Sequence, residues 1–298
     1  MLPLYLLFFS FPSFFLSIHA KIIESEDPYA GCLVLLMPGE GIGAQLNQLG
    51  SVYKGAQHRQ IVLTPVKSHH YPDDELNLCY WFTFPPPFNC EYYAKTRIEW
   101  ERELGPHCNT SHYLPVGVEF DKNLYNERCI QGPLPYGSNT WYSWGFSHHS
   151  RNLLSVVKKI MKVTSRHISF HWRRGDQLID PERCGKADKS VNCADVHTYL
   201  KFIASKIAKH VPAGEIYPVY IATNEVNTTI LTLLNEAGYM TPLSLKQSFA
   251  VKGLPLTPSM IAVIDVMMMC TAFRDFHNPG TSGLYGIIET CRKQKLLK

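Results

Sequence analysis

The sequence predicts an α/β protein of doubly wound architecture, in which short apolar strands alternate with amphipathic helices. The first observation is a strand, helix and strand near the amino terminus, at residues 32–37, 44–58 and 61–66. The second is the same alternation in the C-terminal half, where apolar runs at 163–170 and 217–225 each precede a helical pattern. The third is composition, because 298 residues that are 45% hydrophobic and 18% charged can bury a substantial core.

The N-terminal elements follow from apolar periodicity and turn residues. "CLVLLM" is typical of a buried strand, "PGEGIG" of a glycine-rich turn, and "IVLTPV" of the strand after the first helix. From Lys67 to about Asn139 the chain is rich in Pro, Tyr and Cys, which predicts loops and short helices. The amino-terminal third is therefore expected to be a β-loop-α-β unit followed by an irregular segment.

The C-terminal elements begin with a helix at residues 151–163 that leads into the strand at 163–170. Asp195 is a candidate N-cap for the next helix. The apolar stripe of that helix consists of Val196, Leu200, Ile203 and Ile207. Further helices are expected at 228–237, stopping at Gly238, and at 259–273. "RDFHNPGTSG" then predicts a turn that opens the last helix.

The N-terminal segment indicates a compartment. Leu2 to Ile18 is almost wholly apolar, and the chain turns polar at Lys21, which is typical of a secretory signal peptide cleaved after Ala20. A retained signal anchor is the alternative, because neither Lys nor Arg precedes the apolar run. Either arrangement predicts a luminal or extracellular location for the remainder.

Nine cysteines agree with an oxidising compartment. They include no C-x-x-C pair, so a zinc knuckle or a thioredoxin-type site is unsupported. Disulfides such as Cys79–Cys90 and Cys184–Cys193 would each close a short loop, although spacing alone does not fix connectivity. The odd count leaves at least one thiol free, and Cys270, inside an apolar run, is the expected one.

Charge and surface motifs limit the kinds of partner. The net charge of +4 is too small for a nucleic-acid footprint, but a local cluster such as Arg173–Arg174 suffices for an anionic small molecule. Two N-glycosylation sequons begin at Asn109 and Asn227, and each residue would lie on the surface if it were glycosylated.

The first glycine cluster has three interpretations. A dinucleotide-binding turn requires G-x-G-x-x-G and an acidic residue after the second strand, whereas Gly39, Gly41 and Gly43 form G-x-G-x-G and "IVLTP" carries no acid. A tight turn needing positive φ explains glycines but not Glu40 between them. Glu40, after the carboxyl end of a predicted strand, is therefore a candidate catalytic base.

The segment "SFHWRRGDQ" places His171, Arg173, Arg174 and Asp176 directly after an apolar strand. Ligands bind at the carboxyl ends of strands in open α/β sheets, and two adjacent guanidiniums there suit a diphosphate. A buried Arg–Asp ion pair is the alternative. A cell-adhesive Arg-Gly-Asp tripeptide is disfavoured, because it would need an exposed loop tip rather than the end of a buried strand.

Three segments, in the same order, resemble the protein O-fucosyltransferases and their wider fucosyltransferase superfamily. "PGEGIGAQLNQLGSVYKGAQHRQIVLTPV" is similar to the family's opening glycine turn, helix and strand. "ISFHWRRGDQ" resembles its His-x-Arg-Arg-Gly-Asp-like peptide, and "VYIATNE" its "VYVATD" strand. "DVMMMCTAFRDFHNPGTSGLYGIIETCR" is similar to its Asp-rich helix, Ser-Ser-Phe turn and closing helix. The resemblance frames most of the chain from Cys32 to Arg292.

The resemblance implies a role for each matching residue. Glu40 would be the catalytic base, and Arg173 would hold the β-phosphate of GDP-fucose and stabilise departing GDP. The other residues implied to bind substrate are Gly41, Gly43, His171, Arg174, Asp176, Asp275, Thr281 and Ser282. Thr281 and Ser282 would bind phosphate at a helix N-terminus.

The resemblance further implies a GT-B-like fold with two Rossmann-like domains facing a cleft. The expected domains are a signal peptide at 1–20, an acceptor-side domain at 21–145 and a GDP-fucose-binding domain at 146–298. The implied activity is inverting transfer of fucose to Ser or Thr of a folded, disulfide-rich protein acceptor in the endoplasmic reticulum or Golgi lumen, or after secretion. No cofactor, metal or nucleic acid is expected. Attachment to a membrane is expected only if the N-terminal segment is an uncleaved anchor.

Some residues depart from the family pattern. Gly43 and Ala44 replace the asparagine of other members, and Gly283 stands where they have phenylalanine. These departures leave a second hypothesis open: a catalytically inactive, fucosyltransferase-like binding protein, or a chaperone of disulfide-rich domains.

Overall fold

Two parallel β-sheets form the framework of the protein, seen here in a computed structural model. The structure describes residues 32–36, 41–55, 59–68, 71–90, 102, 105–108, 112–113, 129–131, 144–163, 166–174, 178, 191–276 and 284–294. All of these belong to one compact unit, Gly31–Lys298. The predicted signal peptide lies outside the described residues.

The strands are β1 (Leu33–Leu36), β2 (Ile61–Leu63), β3 (Val66–Ser68), β4 (Tyr71–Leu76), β5 (Phe82–Thr83), β6 (His112–Tyr113), β7 (Cys129–Gln131), β8 (Gly145–Phe146), β9 (Ile168–Trp172), β10 (Val219–Thr223) and β11 (Arg274–Phe276). The helices are α1 (Ile42–Gly55), α2 (Leu78–Trp81), α3 (His148–Ile160), α4 (Val196–His210), α5 (Thr228–Glu236), α6 (Pro242–Val251), α7 (Pro258–Thr271) and α8 (Leu284–Gln294). A 3-10 helix covers Gly105–Cys108.

The N-terminal sheet has the order β2-β1-β7-β6, and all of its neighbouring strands are parallel. The C-terminal sheet has the order β10-β9-β11 and is also parallel. Two small antiparallel pairs, β3-β4 and β5-β8, accompany them. Parallel strands joined through helices confirm the α/β class predicted from the sequence.

The C-terminal sheet is covered on both faces. Phe170 and Trp172 of β9 pack against α4 in one apolar cluster that includes Tyr199. On the other face, Tyr220 and Ala222 of β10 belong to a second cluster with α7. That second cluster also contains apolar residues of α1, β2 and β5, so one core joins residues on both sides of the predicted boundary at 145/146. The boundary itself stays a prediction.

Helix α4 forms as its sequence predicts. The Asp195 carboxylate accepts hydrogen bonds from the backbone N–H groups of His197 and Thr198, at 2.9 and 3.0 Å. These bonds satisfy two of the donors that a helix N-terminus leaves open. The apolar stripe faces the sheet and gains Tyr199, while Leu200 and Ile207 are only partly buried against the same cluster.

Several predicted boundaries shift in the structure. Helix α3 begins at His148 rather than at 151, because the Ser147 hydroxyl caps it by accepting from the N–H of Ser150 at 3.3 Å. Strand β9 covers Ile168–Trp172 rather than 163–170. Lys162, which follows α3, has a φ of 53°. This left-handed conformation ends the helix, and the strand begins only at Ile168.

Several elements have no counterpart in the sequence prediction, and the short strands β5 to β8 are among them. The segment expected to contain loops and short helices includes the β3-β4 hairpin, whose second strand, "YPDDEL", has low intrinsic strand propensity. Its Asp74 carboxylate accepts from the N–H of Ser259 at 2.8 Å, which ties the hairpin to the first turn of α7. Strand β11 lies where a turn was expected, and helix α6 begins at a Thr241 capping box.

The disulfides confirm one prediction and correct another. Cys79 and Cys90 are bonded, as expected from their spacing. Cys270 is not the free thiol, because it is bonded to Cys291 and joins α7 to α8. The buried Cys32 is free instead. Cys108 is bonded to Cys129, and Cys193 is also disulfide-bonded, whereas Cys184 lies outside the described residues.

Helix α7 is apolar around most of its circumference. Its fully buried residues include Val263, Ile264, Val266, Met267, Met268 and Met269. A helix that is hydrophobic all round belongs in a protein core or a membrane, and α7 packs between the C-terminal sheet and helices α3 and α8. No helix in the described part of the chain combines the length and the apolar character that a membrane span needs.

Asp265 is the one acidic residue of α7, and the hydroxyl of the buried Tyr220 donates a hydrogen bond to it. Burial raises the pKa of Asp265 from 3.8 to about 8. The unfolded chain therefore loses this proton from about pH 4 upward while the folded chain keeps it to about pH 8. Ionisation thus favours the unfolded chain, and this residue's contribution to stability falls as the pH rises across that window.

We expect Asp265→Asn to remove this pH dependence. Burial lowers the pKa of His167 from 6.5 to about 4. The imidazole of His167 therefore no longer contributes to the pH dependence of stability above about pH 6.5. Between pH 6.5 and 8, the free energy of unfolding of the variant should rise relative to that of the unchanged protein by up to about 1.4 kcal/mol per pH unit. Denaturant unfolding of both proteins at a series of pH values measures the gap, and a gap that stays constant across this window contradicts the prediction.

Candidate active site

The candidate site lies at the carboxyl edge of the C-terminal sheet, where β9 and β10 end side by side. Ala222 is in register with His171, and Thr223 with Trp172. The residues that follow each strand, Arg173–Arg174 and Asn224–Glu225, therefore emerge next to one another. This edge is where open α/β sheets bind ligands.

Arg174 is held by three contacts. Its Nη1 forms an ion pair with the Glu225 carboxylate, in which the two side chains are 14% and 5% exposed. Its Nε donates a hydrogen bond to the carbonyl of Ala194 at 3.3 Å. The guanidinium also lies 5.4 Å from the ring centroid of Trp172. Arg174 therefore forms a buried ion pair, but its partner is Glu225 of the neighbouring strand end and not the aspartate that the sequence alternative named.

Glu225 is fixed in turn by the loop that carries it. Its Oε1 accepts from the backbone N–H groups of Val226 and Asn227, at 2.9 and 2.8 Å. The Thr223 hydroxyl donates to the carbonyl of Trp172 at 2.6 Å and accepts from the Glu225 N–H at 3.1 Å. The ends of β9 and β10 are therefore linked by a continuous hydrogen-bonded network, which holds the backbone next to Arg173 in place.

Trp172 belongs to the same network, because its carbonyl accepts from Thr223 and its ring contacts Arg174. Its ring stacks on Tyr199 with centroids 4.0 Å apart and planes 7° from parallel. Its indole N–H donates to the carbonyl of Val191 at 3.0 Å. The tryptophan is fully buried, and the Arg174 guanidinium packs against its ring.

Arg173 and His171 are both partly buried. Arg173 directly follows β9 and precedes the anchored Arg174. His171 is the penultimate residue of β9, and strand alternation puts it on the face opposite Trp172, towards α7. The structure thus brings His171, Arg173 and Arg174 to one edge of the sheet, as the sequence predicts.

Asp275 lies elsewhere on the sheet. It lies on β11 in register with Ser169 of β9, and its carboxylate accepts a hydrogen bond from the Ser169 hydroxyl at 2.5 Å. Ser169 precedes Trp172 by three positions, so Asp275 is set back from the edge that carries Arg173. Its role in substrate binding stays a prediction.

Gly41 and Gly43 begin helix α1. The Gly41 carbonyl accepts from the N–H groups of Ala44 and Gln45, at 3.0 and 3.2 Å. The helix therefore starts at Ile42 rather than at 44, and Gly43 is a buried residue of its first turn. The completely buried amides of Gln45 and Gln48 follow in the next turn. The sequence analysis did not select these two glutamines as candidate site residues. The only sequence signal for them is that they are polar residues within an apolar helical stripe.

Four predicted site residues lie outside the described residues: Glu40, Asp176, Thr281 and Ser282. In the chain, Glu40 falls between β1 and α1, and Thr281 and Ser282 fall just before α8. Within the described ranges, no group of three or more His, Cys, Asp or Glu side chains could hold a metal ion.

The fold of the protein is similar to those of several solved structures. No protein-family model matches the chain, and no curated protein matches it. POFUT1 in its apo form is similar, with a TM-score of 0.56 and 12% identity over 91% of this chain and 97% of that one. The fucosyltransferase NodZ from Bradyrhizobium gives 0.48 and 14% over 88% and 92%. NodZ α-1,6-fucosyltransferase soaked with GDP-fucose gives 0.45 and 12% over 88% and 91%. The likeness to POFUT1 shows a shared fold, so the GT-B-like α/β class predicted from the sequence is confirmed.

Proposed function

We propose that the protein is a GDP-fucose-dependent glycosyltransferase that transfers fucose to Ser or Thr hydroxyls of a folded, disulfide-rich protein. The observation that carries the proposal is the network at the carboxyl ends of β9 and β10. It anchors Arg174 through Glu225 and so presents Arg173 at the ligand-binding edge of a parallel sheet. The fold shared with POFUT1 supports the same function.

The donor would lie at this edge with its diphosphate against Arg173. A guanidinium forms charge-assisted, bidentate bonds to phosphate oxygens, and these strengthen as negative charge grows on departing GDP. Thr281 and Ser282, just before α8, would add hydroxyl and backbone donors at a helix N-terminus. His171, Asp176, Asp275, Gly41 and Gly43 are the further proposed contacts to substrate.

Arg174 has a different role in this proposal. Its guanidinium already contacts Glu225, the Ala194 carbonyl and the face of Trp172. It is therefore a positioning residue that fixes the backbone beside Arg173. The same rigidity allows Arg173 to act without reorganisation, which is the condition under which electrostatic stabilisation is most effective.

Glu40 would act as the base. It removes the proton of the acceptor hydroxyl as the oxygen attacks the anomeric carbon of fucose from the face opposite GDP, so the configuration inverts. The bond from that carbon to the β-phosphate oxygen breaks, and GDP leaves with the bonding electrons. In this scheme a metal ion is not required, because Arg173 supplies the positive charge.

A non-catalytic binding protein is the second candidate, favoured by Gly43 and Ala44 at the position where the family has asparagine. Both glycine and alanine lie in the first turn of α1 and offer no side-chain amide to orient an acceptor. The disulfides agree with either candidate acting in an oxidising compartment of the secretory pathway.

The test is release of GDP from GDP-fucose, with and without a panel of folded disulfide-rich domains, by the unchanged protein and by Glu40→Gln. We expect acceptor-dependent release that falls by about 10²–10⁴-fold in the variant, the usual contribution of a positioned base. Donor binding without release would establish the non-catalytic candidate. Neither binding nor release would contradict both.

A further inference from the structure

Asn227 begins an Asn-Thr-Thr sequon at an exposed turn. The turn joins β10 to α5, and Val226, Asn227, Thr228 and Thr229 are all exposed. Such a sequon is an acceptor for N-linked glycosylation when its asparagine and its hydroxyl residue are accessible. Exposure of both therefore meets the steric requirement at this position.

The two ends of the Asn227 side-chain amide have different environments. Its Oδ1 caps α5 by accepting from the N–H groups of Thr229 and Ile230, at 3.0 and 3.4 Å. Its Nδ2 makes no hydrogen bond to any residue within the described ranges. A glycan attached to Nδ2 leaves Oδ1 in place, so the modification is compatible with the helix cap in the folded protein.

The disulfides supply an independent observation about the compartment. Cys79–Cys90, Cys108–Cys129 and Cys270–Cys291 are disulfide bonds, and such bonds persist in the secretory pathway and outside the cell. Transfer of oligosaccharide to asparagine takes place on chains that enter that same compartment. The sequon is thus both exposed and in a chain whose cysteine chemistry fits its use.

We propose that Asn227 carries an N-linked glycan. In the transfer, Nδ2 attacks the anomeric carbon of a lipid-diphosphate-linked oligosaccharide and forms a carbon–nitrogen bond. The bond from that carbon to the phosphate oxygen breaks, the lipid diphosphate leaves with the electron pair, and Nδ2 gives up one proton. This proposal does not depend on the proposed fucosyl transfer.

The glycan would stand beside the candidate active site. Asn227 follows Glu225 by two residues, and its own N–H donates to the Glu225 carboxylate at 2.8 Å. A branched oligosaccharide attached there covers the surface where β10 meets α5. A protein that approaches the carboxyl edge of the sheet would then have to come from the side of β9 and β11.

The test is expression of the full chain in a eukaryotic secretory host, with Asn109→Asp present throughout so that the other sequon is removed. Peptide-N-glycosidase digestion in ¹⁸O-labelled water, followed by peptide mass spectrometry, identifies the modified asparagine. We expect the majority of molecules to shift in mass on digestion and to carry the label at position 227.

Three variants separate the sequon from the fold. Asn227→Asp keeps an N-cap acceptor but removes the acceptor amide, and Thr229→Ala leaves the cap untouched; both should lose the mass shift completely. Thr229→Ser retains a sequon and should keep the shift. An unmodified Asn227 peptide in the secreted chain overturns the proposal, and so does a chain that stays unglycosylated inside the cell.

Discussion

Arg173→Ala is expected to slow acceptor-dependent release of GDP from GDP-fucose by about 10²–10³-fold, the loss seen when one preorganised donor to a developing negative charge is removed. The reason is that the guanidinium is proposed to neutralise the charge that grows on GDP as the glycosidic bond breaks. Because this interaction is strongest in the transition state, the loss should fall mainly on kcat. Steady-state kinetics with saturating donor and acceptor measures it.

Two control variants make the result specific. Arg173→Lys keeps a positive charge but not the bidentate geometry, and should recover only part of the rate. Arg166→Ala removes an exposed arginine that precedes the amino end of β9, the end opposite to Arg173. The Arg166 guanidinium lies 5.0 Å from the Phe273 ring centroid, and its removal should leave the rate unchanged. If Arg173→Ala retained full turnover, the assignment of Arg173 to the leaving group would be wrong.

Glu225→Ala should lower the free energy of unfolding by about 3–5 kcal/mol, the usual cost of leaving one partner of a buried ion pair behind. Arg174 would keep its charge at a site where its side chain is 14% exposed, and the backbone N–H groups of Val226 and Asn227 would lose their acceptor. Urea denaturation followed by tryptophan fluorescence measures the change.

Replacing both partners separates the pair from its components. Arg174→Met combined with Glu225→Leu substitutes apolar side chains of similar length and should recover most of the lost stability. Glu236→Ala, at the exposed end of α5, is the matched control and should change stability by less than about 0.5 kcal/mol. A cost for Glu225→Ala as small as that of the control would mean that the ion pair does not hold the end of β9.

Local sequence signals predicted much of the fold. Asp195 caps α4, Gly238 at a φ of 86° follows the end of α5, and Cys79 pairs with Cys90 across a short loop. Each of these depends on residues close together in the chain, so local propensity indicated the cap and the helix end, and the short spacing favoured the disulfide. The basic segment after β9 was found for the same reason, since its charges directly follow an apolar run.

Features that depend on distant residues were not predictable. Glu225 lies 51 positions from Arg174, and only the parallel pairing of β9 with β10 brings the two together. Cys270 was expected to be free because its apolar surroundings resemble core, yet the packing of α7 on α8 places Cys291 against it. Strand β11 is three residues long, too short for periodicity to distinguish it from a turn.

The most direct test of the proposed transfer is to incubate the protein with GDP-fucose and a panel of folded disulfide-rich acceptors, and to map each acceptor by peptide mass spectrometry. We expect one added deoxyhexose on a Ser or Thr side chain, and we expect Arg173→Ala to abolish this modification while Arg166→Ala leaves it intact. An acceptor panel that stays unmodified while the protein binds GDP-fucose tightly would contradict the proposed transfer, and equal modification by both variants would contradict the proposed site.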